Sequence, residues 1–335
     1  MTVSPDPTWV RSPPGARIPD FFIVGHAKSG TTALYEMLRQ HPRIYMPDHK
    51  EPWFFARSNP HPQTNGERSI AFTGKRMETM EDYLALFRDA KPDQLVGEAS
   101  TSYLWSTTAA SRIAELRPDA RIIAIFREPA SFLRSLHLQL VTNRHETEMD
   151  LRKAIALDGA RREDRHIPKY SYWPQALIYS DRVRYVEQLR RYHAVFPREQ
   201  VLVLIYDDFR QDNAGTVRRV VRFLGLDSTG QLDVLEANPT ISVRSVRLHS
   251  LIRVLVAGRG PVSGALRSTI KWLTSARLRE EIVYPLRRRL VYRYPEPPDE
   301  ELLLELRRRF KGEVAALSEY LGRDLVSLWG YDSID

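Results

Sequence analysis

The chain has 335 residues, 27% of them charged, with a formal net charge of +8 and no cysteine. That length suits one large α/β domain with appendages and a sizeable core. The lack of cysteine excludes disulfides, thiol chemistry and cysteine-based metal sites, and the histidines are too scattered to suggest zinc.

Residues 1–19 hold five prolines and read as an irregular arm without the apolar core of a signal peptide. No run of eighteen apolar residues is present to span a bilayer, and with no cysteine the expected home is a reducing cytoplasm. The apolar run Phe21-Phe22-Ile23-Val24-Gly25 then breaks into Lys28-Ser29-Gly30-Thr31-Thr32 and re-enters as a helix at Ala33. This is the pattern of strand, phosphate loop and helix, in which backbone N–H groups and the helix dipole favour an anion. Gly25 and Gly30 have the spacing of G-x-x-x-x-G-K-[ST], but Thr31 stands at the lysine position and Lys28 precedes the second glycine. The lysine therefore meets a phosphate chain from another angle.

A short strand is expected at 44–46, followed by Lys50-Glu51-Pro52-Trp53-Phe54-Phe55. A glutamate beside a proline and three aromatics is expected to be desolvated and more basic, which suits a general base. Residues 61–75 read as a polar loop near the site and 78–88 as a helix, before a strand that ends in Glu98-Ala99-Ser100. A helix over 107–116 leads to the buried strand Arg121–Phe126, which puts Arg127 at a carboxyl end and Pro129 in the first turn of a helix to about 143. Ser135 lies about two turns along that helix, and a guanidinium and hydroxyl so spaced can hold one phosphate. His137 follows on the same helix.

A long helix is expected over 176–192, a strand over 201–205, and a further helix between Asp207-Asp208-Phe209 and Phe223-Leu224-Gly225-Leu226. The alternation implies a parallel sheet covered on both faces. Beyond Asn238, arginines crowd from Arg244 to Arg309. Two basic, apolar-rich stretches, 248–255 and 266–291 with Trp272, read as a helical cap on the core. Contact with an anionic membrane surface is the sharper alternative.

Three places carry a resemblance: Gly25–Leu34, Lys50–Phe55, and Arg121–Pro129 with Ser135. Together they resemble sulfotransferases that use 3′-phosphoadenosine 5′-phosphosulfate (PAPS), closest to the branch of heparan sulfate and related carbohydrate sulfotransferases. The likeness runs with gaps from about Asp20 to about Leu226. It implies a P-loop-like three-layer α/β/α fold with a central parallel sheet and a mostly helical, basic C-terminal region. The implied division is an arm (1–19), a PAPS-binding core (20–240) and an extension packed on that core (241–335). Lys28, Ser29, Gly30, Thr31 and Thr32 would cradle the 5′-phosphosulfate, and Arg127 and Ser135 the 3′-phosphate. Arg244 and Arg247 are candidates for a late basic loop over the 3′-phosphate and adenine.

Glu51 takes the role of base and Lys28 that of the catalytic cation. Lys50, Glu98, Ser100 and His137 fall to the acceptor side, with Glu98 or His137 as second choice for base. Two departures stand out: Glu128 follows the arginine where aspartate or asparagine is usual, and Ala99 replaces a usual lysine, so acceptor recognition is expected to differ. The resemblance implies PAPS as co-substrate without a metal, and a carbohydrate, glycolipid or other glycoconjugate acceptor. It implies no nucleic-acid partner. Competing readings are a nucleotide kinase and a basic nucleic-acid-binding protein built on the C-terminal arginines.

Overall fold

A computed structural model describes residues 15–56, 77, 79–169, 171, 173–227, 242–243, 292–293 and 297–334. Its centre is a sheet of β1 (Phe21–Ile23), β2 (Ile44–Tyr45), β3 (Leu95–Ala99), β4 (Arg121–Phe126) and β5 (Val201–Ile205) in the order β2-β3-β1-β4-β5, all pairs parallel. Phe21 lies opposite Gly97 and Arg121, and Phe22 opposite Glu98 and Ile122. The strands are runs of β-branched and aromatic residues because both of their faces are covered.

Side chains alternate across the sheet. Phe21, Ile23, Ile123 and Ile125 pack in one cluster with α1 (Thr31–Arg39) and α10 (Asn213–Phe223). Phe22 points the other way, onto Phe55 (centroids 5.9 Å apart) and Tyr103 (6.5 Å). Each such aromatic or aliphatic side chain, once buried, contributes roughly 2 kcal/mol. The described helices between β2 and β4 are α2 (Met80–Ala85) and α3 (Ala109–Leu116). The second of these packs near α8 (Tyr185–His193) and the 3-10 turn Phe54–Ala56.

The expected helix over 78–88 is shorter than the apolar spacing suggested. Thr79 caps α2, its hydroxyl accepting from the Asp82 N–H. The expected helix over 176–192 is three pieces: a 3-10 turn Pro174–Leu177, α7 (Tyr179–Arg182) and α8. No glycine or proline marks the break. It is held by Gln188, whose Nε2 donates to the freed carbonyls of Asp181 (3.1 Å) and Arg182 (3.2 Å). After β5 come α9 (Tyr206–Gln211) and α10.

The chain divides into two compact units. One comprises Met1–Phe132, Ser180–Asn238 and Leu304–Asp335, and the other Leu133–Tyr179 and Pro239–Leu303. The C-terminal helices α11 (Glu300–Leu321) and α12 (Leu325–Leu328) are joined through Arg323 and followed by Trp329 and Tyr331, all three bonded to residues just past β4 and β5. Arg323 holds Asp208 through two bonds (2.5 and 2.7 Å), Trp329 Nε1 donates to Asp207 (2.9 Å), and the Tyr331 hydroxyl donates to Glu128 (2.6 Å).

In the second unit, α4 (Pro129–Thr142), which starts in the first, leads to α5 (Leu151–Ala156) and α6 (Asp158–Arg162). β6 (Ser242–Val243) pairs antiparallel with β7 (Tyr292–Arg293). Arg244, Arg247 and the stretches 248–255, 266–291 and 61–75 lie outside the described residues. Among the described residues no helix is long and apolar enough to cross a membrane.

Candidate active site

The sheet changes direction of winding at β1, and ligands of open α/β sheets bind beyond the carboxyl ends of strands at such a point. The segment between β1 and α1 enters that space with two glycines that nothing else can replace. A Cβ at Gly25 would come within 2.7 Å of the Ile125 backbone nitrogen. Gly30, the N-cap of α1, has φ +85°, and its Cβ would meet the Phe209 ring at 2.8 Å. Its side-chain-free cap leaves the first N–H groups of α1 to a ligand. Ser29 is fully buried and its Oγ has no partner.

Lys28 sits in the left-handed region at φ +65°. Burial pushes its pKa down, and Arg127 adds to the effect. Arg127 Nη1 donates to the Lys28 carbonyl (2.8 Å), and its guanidinium lies over the Tyr206 ring (4.8 Å). The Tyr185 hydroxyl fixes the Arg127 carbonyl from behind (2.9 Å). Two mutually repelling cations held together beside a helix N-terminus are stabilised by an anion. Glu128, the departure after the arginine, caps α4: its two oxygens accept from Ala130 N–H (3.0 Å) and Ser131 N–H (2.7 Å).

Glu51 reaches the same end of the sheet by a strained path. It and Trp53 have φ of +61° and +55°, conformations that bulky residues adopt only where surroundings impose them. The imposing contacts are the Glu51 N–H on the Ala99 carbonyl (3.0 Å) and the Trp53 N–H on Ser100 Oγ (3.1 Å). The Glu51 carboxylate accepts from Trp53 Nε1 (2.8 Å), Thr101 Oγ1 (3.1 Å) and Lys50 Nζ (3.3 Å). Lys50 Nζ also donates to Thr32 Oγ1 (3.0 Å), so one lysine ties the candidate base to the phosphate loop. The aromatics do not desolvate Glu51 as the sequence suggested. Phe54 and Phe55 turn inward against Tyr83 and Phe22, and the Glu51 side chain stays a quarter exposed.

The desolvated carboxylate is Glu98 instead. It is fully buried at the end of β3, and one oxygen, Oε2, accepts from the Tyr83 (3.0 Å) and Tyr103 (2.9 Å) hydroxyls. Oε1 has no partner. Burial pushes its pKa up to about 7, against the pull of Ser100, Tyr103 and Tyr83, with a small push from the charge on Glu51.

Two further expected site residues belong to the second unit. Ser135 is buried in α4, its Oγ without a partner. His137 is buried too, its Nε2 is bonded to the Glu148 carbonyl (2.8 Å), and burial holds its pKa down. That is the setting of a packed structural histidine. The strand-end acids Asp207 and Asp208, the sites where a kinase would hold magnesium, are engaged by Trp329 and Arg323. Among the described residues no group of three or more His, Asp or Glu is placed to bind a metal.

Sequence reasoning missed Trp53 and Thr101 as donors to Glu51, the Tyr83–Tyr103 pair on Glu98, and Tyr185 behind Arg127. Trp53 is two residues from Glu51 and Tyr103 five from Glu98, so both were within local reach. Thr101, Tyr83 and Tyr185 are distant in sequence from the groups they bond, and become visible only once the strand ends, α2 and α8 are packed.

A sequence model described as "Sulfotransferase family" matches residues 19–230. The crystal structure of a sulfotransferase from Alicyclobacillus acidocaldarius is 27% identical, with a TM-score of 0.62 over 93% of this chain and 99% of that one. Among curated proteins, mouse carbohydrate sulfotransferase 15 is 24% identical over 282 residues, covering 70% of this chain and 49% of its own. Mouse heparan sulfate glucosamine 3-O-sulfotransferase 3B1 is 28% identical over 214 residues, covering 63% and 47%. The chain spans about half the length of these curated relatives.

Proposed function

This chain belongs to the sulfotransferase family, and on that premise we propose that it transfers a sulfuryl group from PAPS to an acceptor hydroxyl on a carbohydrate, glycolipid or other glycoconjugate. The observation that carries the reading is the juxtaposition of a two-cation anion site, Lys28 and Arg127, with a carboxylate tied to it through Lys50 and Thr32. The residues present fit the donor: a glycine-cleared loop, unfilled helix N–H groups and the buried, unpartnered Ser29 hydroxyl form a cradle for an oxyanion. When bound, PAPS supplies a sulfuryl group on a phosphate oxygen able to leave.

Lys28 and the N–H groups at the start of α1 are preorganised to hold the negative charge that grows on that oxygen. Thr31 and Thr32 add hydroxyls to the same space. Arg127, kept in place by Tyr185 and Tyr206, is assigned to the 3′-phosphate, with Ser135, Arg244 and Arg247 as further candidates. Glu51 takes the acceptor proton as the new oxygen–sulfur bond forms and the old one breaks. Its three donors fix its orientation, and Thr101 and Lys50 leave it facing the loop rather than the core. Ser100 supports this arrangement by holding the Trp53 backbone.

Glu98 is the second reading for the base, favoured by its elevated pKa and its unpartnered Oε1. Its complete burial puts it behind Glu51 in the order of access. The proposal includes a cytoplasmic location, in keeping with a cysteine-free chain. Recovery in a membrane or exported fraction would overturn that part.

The test is calorimetry with 3′,5′-adenosine diphosphate, together with transfer of radiolabelled sulfate from PAPS to polysaccharide and glycolipid extracts in chelator. Wild type binds the diphosphate and transfers label without added metal. Lys28→Ala and Arg127→Ala each weaken binding about ten- to a hundredfold, the worth of a charged hydrogen bond. A wild-type chain that binds no 3′,5′-adenosine diphosphate would sink the proposal.

A further inference from the structure

Beneath the phosphate loop lies a group of buried polar side chains that the proposed reaction does not use. Arg182, at the end of α7, is 4% exposed, yet its Nε and Nη1 have no hydrogen-bond partner. Its guanidinium lies over the Trp105 indole at 4.1 Å. Among the described residues no carboxylate pairs with it, and burial pulls its pKa down to about 9. His26, the first residue after Gly25, is fully buried between Phe132 (4.6 Å) and Tyr185 (5.1 Å), with the Gln188 side chain as a polar neighbour of its ring. Burial, and next the charge on Arg182, hold its pKa well below the usual histidine range, with the Gln188 side chain opposing. His26 is therefore neutral and offers one N–H. Gln188 is fully buried beside it, its side chain facing the same ring.

A buried cation without a counter-charge is among the costliest arrangements in a protein. Buried polar groups left unsatisfied call for an occupant. The occupant must be anionic to match Arg182, small enough to sit among Trp105, His26 and Gln188, and an acceptor of several hydrogen bonds. A carboxylate or a sulfate group meets all three requirements.

We propose that Arg182, backed by His26 and Gln188 and stacked on Trp105, anchors a second oxyanion site beside the donor loop, which takes a carboxylate or sulfate group. The chemistry is the same for an acceptor-borne group and for a free inorganic anion. An acceptor-borne group would narrow the acceptor to an acidic glycoconjugate, a step that rests on the sulfotransferase reading above.

The experiment loads the chain with saturating 3′,5′-adenosine diphosphate. It then titrates inorganic sulfate, methyl glucuronide and the neutral methyl glucoside by calorimetry, following the melting temperature in parallel. Wild type is expected to bind one or both anions and not the glucoside. Arg182→Gln is expected to weaken anion binding about ten- to a hundredfold while binding the diphosphate as wild type does, which shows that it is folded. Arg182→Lys keeps the charge without the planar fork and is expected to fall between the two, and it carries the test if Arg182→Gln does not fold.

Glucuronide binding tighter than sulfate assigns the site to the acceptor, and sulfate binding alone assigns it to a free anion. Absence of anion binding to wild type, or equal binding by Arg182→Gln, overturns the site. Failure of the diphosphate to bind wild type breaks the donor reading instead, and the same titrations on the unloaded chain then decide Arg182.

Discussion

Glu146 in the second unit and Glu98 in the first are both fully buried, and their surroundings are opposite. Glu146 has a cation: Arg161 lies 2.8 Å from Oε2 and 2.9 Å from Oε1, and Tyr179, Thr147 N–H and Glu148 N–H fill the rest of the carboxylate. Glu98 has two tyrosine hydroxyls on one oxygen, the Ser100 side chain close by, and no cation paired with it among the described residues. The arginines repeat the contrast in part, since Arg161 also donates to the carbonyls of Leu177 and Ala154 while Arg182 lies over the Trp105 ring with its Nε and Nη1 unpartnered. The Glu146–Arg161 pair is charge-compensated, with both carboxylate oxygens bonded and the Arg161 Nε left unpartnered, the arrangement of a structural ion pair. Glu98 and Arg182 each keep buried polar atoms unpartnered, and buried groups of that kind are characteristic of sites rather than scaffolds.

The contrast can be broken or sharpened by substitution. The largest effect is expected at Glu51, the polar but accessible carboxylate beside Glu98. Glu51→Gln should lower turnover about a hundred- to ten-thousandfold while sparing 3′,5′-adenosine diphosphate binding. Retained turnover would transfer the base role to Glu98. Next comes Arg161→Ala, which strands Glu146 as an unpaired buried charge and should cost about 3–5 kcal/mol of stability in a denaturant titration. A cost within error of zero would mean the closed network is not structural.

Glu98→Gln should act through pH. The folded chain keeps the Glu98 proton up to about pH 7, against an ordinary carboxylate value of 4.5. The unfolded chain releases it earlier, so stability is complete below 4.5 and falls as pH rises through 7. Across that window the wild type should lose roughly 3 kcal/mol, and Glu98→Gln should remove that slope in melting curves taken from pH 4.5 to 8. The smallest effect is expected for Asp208→Asn. Its pair with Arg323 is more than a third exposed, and solvent screening should hold the loss below about 1 kcal/mol. A larger loss would mean that the C-terminal tie matters more than its exposure suggests.

Much of this was legible in the sequence because it is local. The strands at 21–23, 121–126 and 201–205 declared themselves as apolar β-branched runs, since parallel strands covered on both faces have no polar side to show. The loop declared itself because two sterically forced glycines bracket a lysine, and Gly25 and Gly30 tolerate nothing larger. The helix break at 183–184 was not legible. Its cause is Gln188 reaching back to two carbonyls, a choice that the apolar spacing of 177–189 does not encode.

The chain by itself determined the parallel sheet, the anion-ready loop and the kinship those motifs imply, because each depends on residues a few positions apart. Only the tertiary structure decided which glutamate is desolvated. Phe54 and Phe55 fold away from Glu51 and Trp53 turns its indole N–H to it, whereas Tyr83 and Tyr103 arrive at Glu98 from a helix and a loop that pack over β3. Burial is a property of everything that surrounds a group in space, and a neighbour in sequence is only one candidate for that surrounding.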